Sequence, residues 1–212
     1  MFGLASAGGR ELVRVGPIIY NLPAFRCDDL RRGMMVTTGT GASINYLTTK
    51  YVDPATSSDP APQIRYAEVL LTLAEAEARA GTGVNARALA LLNAVRNRAV
   101  TVAANQYTAA SFADKNAFIR AILDERRIEF IAEGKRWADI HRNAVDPDFS
   151  TGGIPAKVGT GTPPTTAYSC GAGSAVYTTP VGAIPYADYR FIWPIPASET
   201  LVNTNYSQNP GY

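Results

Sequence analysis

Two pairs of carboxylates, Glu125 with Glu129 and Glu68 with Glu75, are the residues of this sequence that come nearest to an acid–base couple. Cleaving a glycosidic bond takes two carboxyl groups facing one another across a sugar. Residues one or two turns apart on a single helix cannot straddle a ring, and a pair drawn from two helices would have arginines close by. Arg126 lies on an apolar stripe, where a guanidinium must find carboxylates or carry a large desolvation penalty. Glu68, Glu75, Glu125, Arg126 and Glu129 therefore read as a structural ion network, and glycan hydrolysis is the least favoured use of these acids.

His141 is the chain's one histidine. A site of several imidazoles is excluded, and a serine–histidine–aspartate arrangement would have to run through it. It stands beside Asp139 and Arg142 at a helix end, where a cation is favourable. No serine or cysteine sits in a nucleophile motif. Gly152, Gly153, Gly159 and Gly161 lack the lysine of a phosphate loop. No cofactor, metal or catalytic residue is implied.

Recognition of a saccharide asks for ring faces together with amides, carboxylates and guanidinium groups. Loop aromatics are the natural suppliers. Those available are Tyr20, Phe25, Tyr46 and Tyr51 in the first third, and Tyr168 and Tyr177 later. Against each stands the plainer reading of a packed ring. Trp137, expected beside the ion network, and Trp193 both read as packing.

These residues must be held by a mainly α chain. Residues 1–62 read as loops with a strand around Pro17, drawn from Val13, Val15, Ile18, Ile19 and Tyr20. Residues 63–143 are the helical core. The first helix, over residues 63–80, is apolar on so wide a face that more than one side should be covered, and Gly81 ends it. Asn85 caps a second helix over 86–99, so that the two form a tetratricopeptide-like antiparallel hairpin. A third begins at Ser111 or Asp114 and runs to Glu133, and residues 135–142 continue as a fourth. Residues 144–212 are a loop-rich excursion and tail packed on the helices. The whole is expected to form one domain.

The 212 residues carry a net charge of +2, with acids and bases interspersed, which gives no electrostatic reason for nucleic acid. The first residues do not form a signal peptide, and no apolar run is long enough to cross a bilayer. Cys27 and Cys170 lack metal-ligand spacing; pairing and two free thiols both remain open.

Four stretches in order resemble one known family. They are Arg65-Tyr66-Ala67-Glu68-Val69-Leu70-Leu71, then Leu92-Asn93-Ala94-Val95-Arg96-Asn97-Arg98-Ala99. The third joins Glu125-Arg126-Arg127-Ile128-Glu129-Phe130 to Glu133-Gly134-Lys135-Arg136-Trp137. The last joins Pro194-Ile195-Pro196 to Gln208-Asn209-Pro210-Gly211-Tyr212. Asp29-Leu30-Arg31 and Thr49-Lys50-Tyr51 are fainter echoes. Together they resemble the C-terminal half of SusD/RagB proteins. The resemblance implies a non-catalytic lipoprotein on the outer face of the outer membrane, held by an N-terminal lipid anchor that this chain does not include. It implies capture of a glycan or peptide for a SusC-type TonB-dependent transporter, and a longer parent chain. A helical-repeat scaffold for protein partners is the alternative.

Overall fold

The computed structural model describes residues 14–38, 45–51, 58–159, 163–170, 178–203 and 205–212. The protein is mainly helical, with four short strands among the described residues. It divides into two compact units, residues 1–136 with 160–177 and residues 137–159 with 178–212. The boundary read at 143/144 falls inside the second.

In the first unit the chain opens on α1 (Pro17–Tyr20) where a strand was expected. Pro17 occupies the first helical turn, where its fixed φ suits the helix and its missing N–H is no loss. Val13 lies outside the described residues. β1 (Met35–Thr38) pairs antiparallel with β2 (Asn45–Thr48).

The helical core then begins with α2 (Tyr66–Ala80) and α3 (Ala86–Arg96). Asn85 accepts from the Ala88 N–H at 2.7 Å and so starts α3. Asp114 does the same for α4 (Lys115–Glu129) through the Ala117 N–H. α2 packs against both α3 and α4. Its Ala74 and Ala78, with Ala88 of α3, are fully buried and let the helix backbones come close. Leu71, Leu92, Phe118, Ile119 and Ile122 fill the space between the helices, each contributing roughly 1.5–3 kcal/mol of burial. Ile64, Tyr66 and Val69 remain exposed, so the wide apolar face is covered only in part.

Helix α4 stops four residues short of the expected Glu133. Phe130 turns into the core at 5% exposure, and Ala132 and Gly134 adopt positive φ. The terminal carbonyl this frees on Glu129 accepts from the Lys50 ammonium at 2.7 Å and from Arg65 at 3.1 Å. Two cations thereby sit at the negative end of the helix.

The second unit takes in most of α5 (Lys135–Arg142), the β3 (Gly153–Ile154) and β4 (Ile184–Pro185) pair, and α6 (Ala197–Val202). Ile140, Ile154 and Phe191 are its core. Gly153 lies at φ 133°, and a Cβ there would come within 2.1 Å of the Ile184 carbonyl oxygen, so only glycine lets β4 approach.

Candidate functional site

Glu125 and Glu129 sit one turn apart on α4, and both reach the same guanidinium, that of Arg31, at 2.6 and 3.0 Å. Arg31 also grips Asp29 through Nε and Nη2. The second oxygen of Glu125 takes Arg96 of α3 at 2.8 Å, an ion pair with side chains 1% and 0% exposed. Arg96 in turn stacks on the Tyr107 ring at 4.2 Å. Glu129 receives Arg65 at 2.9 Å and Arg98 at 2.6 Å on its other oxygen. Glu133 is held by Arg65 and Lys50 at 2.8 and 2.5 Å.

Charge compensation shows in the titration of these groups. Burial works to raise the Glu129 pKa, yet Arg65, Arg98 and Arg31 outweigh it and hold the carboxyl below its ordinary range. Burial lowers the Lys50 ammonium against the pull of Glu133. Arg126 donates to the Thr72 hydroxyl at 3.0 Å and lies over Phe130. Arg31, bonded to three carboxylates, is the centre of the cluster around Glu125 and Glu129. Glu75 pairs with Arg79 at 2.8 Å and Glu68 with Lys135 at 2.8 Å.

A pocket of about 580 Å³ opens beside this cluster, within the usual range for small-ligand sites. Leu30, Met34, Met35, Pro60 and Pro62 give it apolar walls, and Lys50, Tyr51, Arg65, Arg98 and Glu129 a charged one. Tyr51 is half-buried there, its hydroxyl donating to the Ala132 carbonyl at 3.3 Å.

The other nominated aromatics converge elsewhere in the same unit. Tyr46 of β2 meets Tyr168 at 4.1 Å and Tyr20 at 5.0 Å, and Tyr20 meets Tyr168 edge-on at 5.2 Å. The Arg32 guanidinium lies over both Tyr20 and Phe25, at 4.4 and 4.1 Å. A Cys27–Cys170 disulfide ties the two segments that supply these rings. Asn21 reinforces it, giving a side-chain N–H to the Ala167 carbonyl and accepting from Ser169 N–H.

Burial sorts the nominees. Phe25 is 1% exposed beneath Arg32 and has no face to offer a ligand; its place as a contact is corrected to core. Tyr168, 8% exposed, spends its hydroxyl on the Val15 carbonyl and is likewise packing. Tyr20 and Tyr46 are half-exposed. Tyr177 lies outside the described residues.

In the second unit Trp137 packs on the Ile140, Ile154 and Phe191 core, as a packing residue should, whereas Trp193 does not fit that reading. Trp137 belongs to a stack of rings, 4.3 Å from His141 and 5.4 Å from Trp193, rather than to the ion network. Trp193 is 70% exposed, because Asn209 and Tyr212 hold the backbone on either side of it and turn the ring outward. His141 spans two backbone oxygens, of Trp137 and Phe191, at 3.1 and 2.9 Å, a structural brace with no nucleophile at hand.

Sequence reasoning passed over Asp29, Arg31, Lys50, Arg96, Arg98 and Glu133. The signal was present, since all six lie in the motif stretches, Asp29, Arg31 and Lys50 in the two faint ones. Among the described residues no group of three or more histidine, cysteine, aspartate or glutamate side chains could hold a metal ion. None of the described helices is long and apolar enough to cross a membrane.

A profile of the SusD family matches residues 26–212. Among solved structures, a SusD superfamily protein from Bacteroides fragilis is 29% identical with a TM-score of 0.59, over 89% of this chain and 36% of its own. Others come from Parabacteroides distasonis ATCC 8503, 24% identical with a TM-score of 0.57 over 89% and 40%, and Bacteroides vulgatus ATCC 8482, 22% identical with a TM-score of 0.57 over 87% and 36%. The chain thus spans well under half the length of these proteins. No curated protein matches it.

Proposed function

Because the chain belongs to the SusD family, we propose that it is part of a non-catalytic nutrient-binding subunit that captures a glycan or peptide for a SusC-type TonB-dependent transporter. The observation that carries the reading is the state of the acids. Glu125 and Glu129 are 0% and 4% exposed, and each meets at least two guanidinium groups, so neither faces a substrate as an acid or base. What the first unit offers a ligand is surface: the half-exposed Tyr20 and Tyr46 rings beside Arg32, and the pocket at Tyr51.

The Cys27–Cys170 disulfide supports a place outside the reducing cytoplasm. That agrees with a protein on the outer face of the outer membrane, reached through a lipid anchor on the whole protein. A scaffold for protein partners is the second reading, favoured by the exposed Ile64, Tyr66 and Val69 at the start of α2.

Calorimetric titration with panels of oligosaccharides and oligopeptides tests the proposal. Saturable binding, weakened by Tyr46→Ala, is the expected result. No saturable binding to either panel overturns it in favour of the scaffold.

A further inference from the structure

The bonds around Arg31 join nine ionised groups into one cluster. Asp29, Glu125, Glu129 and Glu133 are the acids; Arg31, Lys50, Arg65, Arg96 and Arg98 are the bases. Among these nine, bases outnumber acids by one. Asp59, electrostatically close to Tyr51, has interactions of its own beside the same pocket.

The excess can be located by following the donors. Arg31 spends Nε, Nη1 and Nη2 on carboxylates. Arg65 spends all three of its nitrogens on Glu129 and Glu133. Lys50 bonds Glu133 and the Glu129 carbonyl. Arg96 is sealed at 1% exposure. Arg98 alone among the five combines exposure, 57% of its side chain, with spare donors: Nη2 reaches Glu129, and neither Nε nor Nη1 donates to any described residue. It stands just past the C-terminus of α3, on the wall of the 580 Å³ pocket. Leu30, Met34, Pro60 and Pro62 line the same pocket.

We infer that this pocket is a subsite for a carboxylate carried on a compact, partly apolar body, with Arg98 as its anchor. A guanidinium with open donors takes a carboxylate through paired, charge-assisted hydrogen bonds. A carboxylate meets the exposed positive charge of Arg98, whereas a cation is repelled by it and a neutral ligand leaves its spare donors to water. The volume accommodates one or two residues of a ligand and not a long polymer. Two sources carry this chemistry, the C-terminal residue of an oligopeptide and a uronic acid at the end of a glycan. The inference rests on the nutrient-capture reading and narrows it to acidic ligands.

The test titrates the full chain with four probes: the tripeptide Ala-Leu-Leu as free acid and as amide, trigalacturonate, and neutral galactotriose. Arg98→Gln is compared with Arg87→Gln, a surface arginine paired with Glu77 far out in solvent. Binding of the free acid but not the amide, weakened about tenfold or more by Arg98→Gln and unchanged by Arg87→Gln, supports the peptide source. Trigalacturonate binding without galactotriose binding, with the same response to the variants, supports the uronic source. Acid probes that bind equally well to Arg98→Gln overturn the inference. Binding of galactotriose or the amide alone also overturns it while leaving nutrient capture standing. If none of the four binds, and the wider panels give nothing either, both fall together.

Discussion

Arg96 and Glu125 form an ion pair of 2.8 Å closed off from solvent, with side chains 1% and 0% exposed. The pair joins α3 to α4 beneath the pocket, and Arg31 completes the coordination of Glu125 from the N-terminal loop. Such a pair holds elements in register.

Removing one partner leaves the other charge buried and uncompensated. Glu125→Ala is expected to lower unfolding stability by about 3–5 kcal/mol, measured by urea denaturation. The double change Arg96→Met with Glu125→Leu should recover most of that loss. If Glu125→Ala unfolds at the same midpoint as the parent, the pair contributes nothing to stability.

Acid should act through Glu129. Its folded pKa lies below the ordinary 4.5 because Arg65, Arg98 and Arg31 overcome the burial that would raise it. A carboxyl depressed in the folded state stabilises fully above its unfolded value and loses that contribution as pH falls through the folded one. Thermal midpoints should therefore fall between about pH 5 and pH 3, and Glu129→Gln should flatten that part of the profile. A Glu129→Gln profile as steep as the parent's counts against this account.

Reduction should loosen the tyrosine cluster. The disulfide closes a loop of 143 residues, so a Cys27→Ser, Cys170→Ser variant is expected to lose roughly 2–5 kcal/mol of stability. Fluorescence of the Tyr20, Tyr46 and Tyr168 group under reducing conditions should change in parallel with ligand affinity. Unchanged melting in reductant would remove the disulfide from the account.

Phe25 and Tyr46 should separate stability from binding. Phe25→Ala empties a site 1% exposed and is expected to destabilise by about 3–5 kcal/mol. Tyr46→Ala, at a half-exposed ring, should leave folding nearly intact and weaken ligand binding by about tenfold. The reverse pattern, read by denaturation and calorimetry, would relocate the binding surface.

The helical part of this architecture was legible because its signals are local. Asn85 and Asp114 announce helix starts, Gly81 an end, and the apolar spacing of Phe118, Ile119 and Ile122 a buried face. What escaped depends on long-range closure. Val15, Ile18 and Ile19 suit a strand, but Pro17 fixes the turn that follows. α4 ends at Glu129, and Ala132 beyond it takes φ 66° with no residue-level warning, since alanine ordinarily favours a helix. Glu125 and Glu129 were named from their helix positions, while Arg31 and Lys50 lie far off in sequence and reach Glu129 and Glu133 only after folding. Trp193 was misplaced because an apolar run of Ile192, Trp193 and Pro194 resembles core; the outward turn comes from Asn209 and Tyr212 beyond it.

The central claim is that the described acids hold the fold together and perform no chemistry. Its most direct measurement is mass analysis of a ligand recovered after prolonged incubation with the protein at a concentration where calorimetry shows the complex is formed. The expected result is ligand returned intact by the parent and by Glu129→Gln alike. Cleaved product that disappears in Glu129→Gln, with the variant still folded, would contradict the claim.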